Sequence, residues 1–427
     1  MENLTLCVSR PSSGQDPHKP VLVKSQLLAK LPENHVLIKI DRFGFSANNI
    51  TYQALGEAPH FRYFDFHLAP RANGATPETH GLIPVWGFGT VVESSHPRIG
   101  VGERVYGYFA PTKYLLVPVS PSDVNKFSFY IPRPHLPPGT LVVTYRLQPA
   151  QENRRPYNQV IRCVSDDQYD PSPLAEDLTM LYRPLFWTAF WCENWLNAFS
   201  YRGADSFLIS SASAKTAFCL AYLLDKRRKA EEKAIKVVGL TSECNIAFTS
   251  GLKLYDSIVT LESSGQLKPS TGKWLYIDVA GNDKLNKRIA AHFGGSGSLV
   301  ACVQLGLTNL SPSAPAASST KFTTNTTLSA PDRLSGPFET EQFFMPEWLA
   351  VQRKKLRVDD IRAMQTKAWQ GLVRDGKDWV RIEHVRGGPD IERAYRKVAE
   401  QGTDPKIGMI WSLWNDMEFE RRASPKL

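Results

Sequence analysis

The stretch that most restricts the fold of this chain is Ser206-Phe207-Leu208-Ile209, then Ser210-Ser211-Ala212-Ser213-Ala214, then Lys215-Thr216-Ala217-Phe218-Cys219-Leu220-Ala221. A short apolar run, five tiny residues and an amphipathic segment read as strand, tight turn and helix. In nucleotide-binding sheets such a turn aims backbone N–H groups and a helix N-terminus at a phosphate, and small side chains let the backbone come close. The glycines of G-x-G-x-x-G are missing here. Ser211, Ser213 or Ala214, and Thr216 or Ala217 stand in their places, so the turn alone also fits an ordinary strand-to-helix connection.

The residues that follow decide between the two. Strand-like runs at Lys236–Leu240, Ser257–Leu261, Trp274–Val279 and Ser298–Leu305 alternate with helical segments, one ending at Leu254 and another spanning Asp283–Phe293. Strands separated by helices predict βαβ units and a parallel, doubly wound sheet, with any ligand at the carboxyl ends of the strands. Ser211, Thr241, Gly281 and Gln304 fall at those ends.

Upstream the pattern changes. Val21–Leu28, His35–Ile40, Val85–Ser94, Glu103–Ala110 and Lys113–Val119 are β-type runs punctuated by Gly and Pro, which predicts a separate N-terminal β-domain. Residues 1–20 read as a loosely held polar arm. Between 121 and 175 a proline-rich start and a polar end bracket a candidate strand pair, Thr140–Leu147 with Gln159–Val164, taken as an insertion. A Ser/Thr/Pro/Ala-rich stretch over 309–337 reads as a loop or lid. Helices are expected at Glu347–Leu356, Val358–Val373 and Ile391–Gln401, with strands at Val380–Val385 and Ile407–Leu413. The expected division is 1–180, rejoined by 340–427, around an inner domain of 181–339.

With 427 residues, 42% of them hydrophobic and 22% charged, the chain has ample material for two cores. It carries no apolar run of membrane-spanning length and no basic, apolar leader at Met1, so the expected location is cytoplasmic with no membrane partner. Its net charge of +9 is concentrated at Lys226–Lys229 and Arg353–Lys355. Neither run is interleaved with aromatic residues, so no nucleic-acid partner is expected; the excess suits an anionic small ligand. Six scattered cysteines suit reduced, packed thiols rather than disulfides or a thiolate metal site.

The order of these segments resembles the medium-chain dehydrogenase/reductase superfamily, in its zinc-independent quinone-oxidoreductase and enoyl-reductase branch, and specifically a divergent group known as a domain of unknown function. The resemblance rests on His35–Ile40 with Gly44–Tyr52, on Gly87–Glu93, on Val101-Gly102-Glu103-Arg104-Val105, on Phe186-Trp187-Thr188-Ala189, on Asp278-Val279-Ala280-Gly281 and on Trp379–Arg396. It implies a GroES-like β-barrel-type domain joined to a Rossmann domain, and a homodimer by analogy. Zinc-dependent relatives carry a cysteine where Ser46 stands and a His–Glu pair near Val85-Trp86. These residue types cannot supply three zinc ligands, so a metal-free site is implied.

Ser211, Ser213, Ala214, Lys215, Thr216, Thr241, Ser242, Gly281 and Gln304 are the candidate cofactor-binding residues. No carboxylate closes the strand ending at Thr241, which points to NADP(H) rather than NAD, with Glu243 expected in the first turn of the next helix. Without metal, reduction of an enone or carbonyl needs a proton or hydrogen-bond donor. Tyr52 occupies the position where metal-free relatives carry a tyrosine near the nicotinamide. Asn49 and Thr188 complete the catalytic candidates, each with a structural alternative in a turn or in helix packing. The function implied is an NADPH-dependent reductase of an activated C=C or C=O bond in a fairly large apolar small molecule, a biosynthetic intermediate for example. The alternative is the same scaffold repurposed for lyase, isomerase or cyclase chemistry, its cofactor lost or structural.

Overall fold

The computed structural model of the protein describes residues 2–58, 61–136, 156–269, 272–293, 296–306, 340–416 and 418. The chain divides into two units, one drawn from Met1–Leu181 and Trp369–Leu427, the other from Tyr182–Asn309 and Ser319–Ala368.

In the first unit, alternating apolar and polar residues form an eight-stranded sheet. Along one path it runs Arg381–Arg386, Ile407–Ser412, His35–Phe45, Val85–Ser94, Arg104–Phe109, Gln159–Arg162 and Ser128–Tyr130, while Tyr114–Pro118 also pairs with His35–Phe45. All pairings but the first are antiparallel. Gly44 lies where a Cβ would stand 2.9 Å from the Met180 carbonyl oxygen, so a glycine is needed for the helix to pack on this strand.

One expectation changes here, and two other segments gain detail. Residues 1–20 are not a loose arm: Glu2–Ser9 is a strand paired with Val21–Gln26 and His80–Gly81, with Leu6, Cys7 and Val8 buried. Its polar residues concealed it. Asn3 and Thr5 are buried because their side chains hydrogen-bond to Tyr114 and Thr112. Within Gly44–Tyr52 the helix Ala47–Ala54 begins, headed by a reciprocal cap between Ser46 and Asn49. Finally, Gln159–Arg162 pairs with Ser128–Tyr130 and Arg104–Phe109; the partner expected for it, Thr140–Leu147, lies outside the described residues, as does the 309–337 loop.

The second unit is a six-stranded, wholly parallel sheet. Its order is Ser257–Thr260, Lys236–Thr241, Ser206–Ile209, Trp274–Asp278, Leu299–Gln304 and Thr340–Gln342. Numbered along the chain this is 3-2-1-4-5-6, the doubly wound order whose direction reverses between strands 1 and 4. The helix Asp283–Phe293 shows why the sheet is covered: Leu285, Ile289 and Phe293 recur every fourth residue and bury one stripe against Leu208, Trp274, Tyr276 and Cys302. Each such side chain contributes roughly 1.5–3 kcal/mol on burial. Because Thr340–Gln342 completes this sheet, the chain re-enters the first unit at Trp369, later than the 340 expected from the pattern. Among the described residues no helix is long and apolar enough to cross a membrane.

Candidate active site

The direction reversal of the parallel sheet places two turns side by side. After Ile209, Ser211 takes a left-handed backbone, φ 49°, the conformation glycine adopts at least cost. The chain therefore follows a glycine-like path without a glycine. Ala212 is fully buried; a Cβ on Gly239 would meet its methyl at 2.8 Å, and its carbonyl accepts the Tyr255 hydroxyl at 2.8 Å. Ser213, Ala214, Lys215 and Thr216 stay partly exposed. The helix Lys215–Glu231 then starts at Ala214 with no side-chain cap, no acidic residue in its first turn, and a lysine at its first position. None of these three residue choices supplies negative charge to the positive end of the helix dipole.

Around the corner, the Ser213 hydroxyl accepts from Thr241 Oγ1 at 3.4 Å and from Asn245 Nδ2 at 3.3 Å, and Asn245 also donates to Ser242 Oγ at 3.0 Å. Glu243 is exposed, in the short 3-10 turn after Ser242. The neighbouring turn is fully knotted. Asp278 accepts Gly281 N at 2.9 Å, the Ser210 hydroxyl at 3.2 Å and Asn286 Nδ2 at 2.7 Å, while Ser210 Oγ accepts the Val279 and Ala280 N–H groups. Burial raises the Asp278 carboxyl above its ordinary range against these hydrogen bonds. Gly281 sits at φ 63°, and Gln304 closes the next strand with its Oε1 accepting from Gln342. The structure thus brings together all nine cofactor candidates of this unit at one end of one sheet. Thr188, also in this unit, lies within the helix Pro173–Ala198 and donates its hydroxyl to the Pro184 carbonyl at 3.2 Å, a local backbone bond.

In the first unit Tyr52 and Asn49 share the helix Ala47–Ala54. The Asn49 amide is engaged at both ends, accepting from Ser46 N at 2.9 Å and donating to the Pro84 carbonyl at 3.0 Å. Tyr52 is buried in an aromatic box: its ring lies 4.6 Å from Tyr63 and 5.5 Å from Tyr108, and Tyr108 in turn lies 5.0 Å from Trp86, 5.1 Å from Tyr157 and 5.3 Å from Phe66. Burial pushes the Tyr52 phenol above its usual range, so it holds its proton. Trp86 Nε1 and Tyr108 Oη are buried without a hydrogen-bond partner of normal geometry. The sequence reading missed Tyr63, Trp86, Tyr108 and Tyr157. Only the alternating Tyr106-Gly107-Tyr108-Phe109 run hinted at them; Tyr157 joins through long-range strand pairing. Among the described residues no three His, Cys, Asp or Glu are placed to hold a metal ion.

Solved structures share this fold over nearly the whole chain. CurA from Vibrio vulnificus, crystallised with NADPH, is 12% identical over 96% of this chain and 99% of its own, with a TM-score of 0.55. The quinone oxidoreductase from Coxiella burnetii is 13% identical over 96% and 99%, TM-score 0.51. The CurF ER cyclopropanase of the curacin A pathway is 12% identical over 96% and 99%, TM-score 0.51. The fold is that of the medium-chain dehydrogenase/reductases, as the order of the sequence motifs implies. Within it, the chain belongs to the family described as "Protein of unknown function (DUF2855)", which matches residues 43–404. No curated protein matches the sequence.

Proposed function

We propose that this protein is an NADP(H)-dependent, metal-free reductase of an activated C=C or C=O bond in a small molecule. The observation that carries the reading is the corner Ser211–Thr216 at the reversal of a 3-2-1-4-5-6 sheet, with a glycine-like backbone and an uncapped helix headed by Lys215. A pyrophosphate supplies the negative charge that this helix end lacks. Thr241 and Ser242, at a strand end whose own last residues carry no carboxylate, suit a phosphorylated ribose better than a free 2′-hydroxyl. When bound, such a cofactor supplies the hydride.

The residues of this chain do the rest. Tyr52, kept protonated by burial, donates a hydrogen bond or proton to the oxygen or carbon where negative charge develops. Asn49 holds the helix that carries Tyr52. Ser46, in the place of a zinc-ligating cysteine, is committed to capping that helix. One observation favours the repurposed, non-redox scaffold as a second reading: the Ser213 hydroxyl is already bonded across the corner to Thr241 and Asn245. The CurF ER cyclopropanase has the same fold.

Titration of the protein into NADPH tests the reductase reading. Enhanced nicotinamide fluorescence with saturation supports the reductase, and no response to NADPH or NADH discards it. With a turned-over enone, Tyr52→Phe is expected to lower kcat roughly 10²-fold with unchanged NADPH affinity; unchanged kcat removes Tyr52 from the chemistry.

A further inference from the structure

Arg133 follows the strand Ser128–Tyr130 in the first unit and is only 5% exposed, yet no described carboxylate pairs with it. A buried guanidinium without a counter-charge is costly, and proteins normally bury arginine only when it is paired. Its Nε donates to Asn158 Oδ1 at 3.0 Å, and its guanidinium lies 4.8 Å over the Phe66 ring. Its Nη2 comes 3.4 Å from His67 Nε2, but that nitrogen is also 3.1 Å from the Tyr108 carbonyl. One ring nitrogen cannot donate to a carbonyl and accept from an arginine at once. The shorter contact puts the proton on His67 Nε2, so Nη2 meets an N–H and gains no acceptor.

Asp65, close in sequence to His67, is no help, since Arg10 and Arg62 both hold it. Apart from the His67 contact, no described acceptor meets the two terminal nitrogens of the fork. Burial depresses the Arg133 guanidinium to about 9, still charged at neutral pH. The same rings link it to the proposed proton donor: Phe66 packs on Tyr108, and Tyr108 on Tyr52. A planar fork beneath aromatic faces matches a carboxylate joined to a flat, conjugated group, because the fork takes both oxygens and the rings stack on the remainder.

We propose that Arg133 anchors the carboxylate of the substrate, a small unsaturated organic acid whose flat part lies against this aromatic cluster. This deepens the reductase reading and rests on Tyr52 being the donor of the same site. It narrows the substrate class from an apolar molecule to an anionic one.

Isothermal titration of the full chain with trans-cinnamate and with its neutral isostere cinnamamide tests the anchor directly. Wild-type protein is expected to bind cinnamate at least tenfold more tightly. Arg133→Gln should abolish that preference and leave NADPH titration unchanged. A wild-type preference below tenfold, or one that survives Arg133→Gln, overturns the proposal; the wild-type comparison holds even where the variant fails to fold. Cinnamate preference without any NADPH response upholds the anchor and overturns only the reductase reading. NADPH binding without cinnamate preference does the reverse.

Discussion

Two turns at the ends of adjacent strands in the second unit are built from similar small residues and finished in opposite ways. At Asp278–Gly281 each nearby donor has an acceptor: the carboxylate takes a backbone N–H, a hydroxyl and an amide, and Ser210 takes two more backbone N–H groups. At Ser211–Thr216 the helix begins with no cap and a lysine where an acid is favourable. A closed turn is self-sufficient; an open one is stable at a cost that a bound anion removes. The first unit repeats the contrast. Glu176 is shared by Arg42 and Arg104, and although burial works against the Arg104 charge, Glu176 and Asp41 more than offset it and hold it above its ordinary value. Arg133, buried more deeply, has no carboxylate partner among the described residues. The unfinished member of each pair is the one assigned a ligand.

The largest expected effect comes from breaking the closed turn. Asp278→Ala strands the Gly281 N–H, Ser210 and Asn286, and should lower unfolding free energy by about 3 kcal/mol in urea denaturation; a loss under 1 kcal/mol would show the knot to be dispensable. Next comes pH. Burial holds His67, beside Arg133, well below its ordinary value, so the unfolded chain takes up a proton that the native state refuses. Stability is therefore full above about pH 6.5 and falls as the pH drops below it, by about 1 kcal/mol between pH 6.5 and 5.5 from this group. His67→Gln should flatten that part of the profile; an unchanged slope would place the dependence elsewhere. Smallest is the effect of finishing the open turn. Ala214→Asp adds a capping carboxylate and should raise the stability of the ligand-free protein by about 0.5–1 kcal/mol.

How much of this the sequence disclosed follows from the range of the interactions. Asp283–Phe293 was legible to the residue because its Leu285, Ile289, Phe293 stripe is local. The parallel sheet was legible from alternation, and the corner from its tiny residues. Glu2–Ser9 was hidden because its buried Asn3 and Thr5 find their partners more than 100 residues away. Thr340–Gln342 is a three-residue polar strand visible only through its neighbour. Tyr52 was named through family resemblance, whereas Tyr157 reaches Tyr108 beside it through the long-range pairing of Gln159–Arg162 with Arg104–Phe109, and Arg133 meets His67 across 66 residues. No periodicity announces such a meeting.

Thermal stability with and without NADPH, measured side by side on the wild-type protein and Ala214→Asp, bears most directly on the open corner. NADPH at about 100 times its dissociation constant should stabilise the wild type by about 2.7 kcal/mol. The variant, with a fixed carboxylate where the pyrophosphate belongs, should start higher and gain nothing. Equal stabilisation of both proteins, or of neither, would contradict the assignment of this corner to a phosphate.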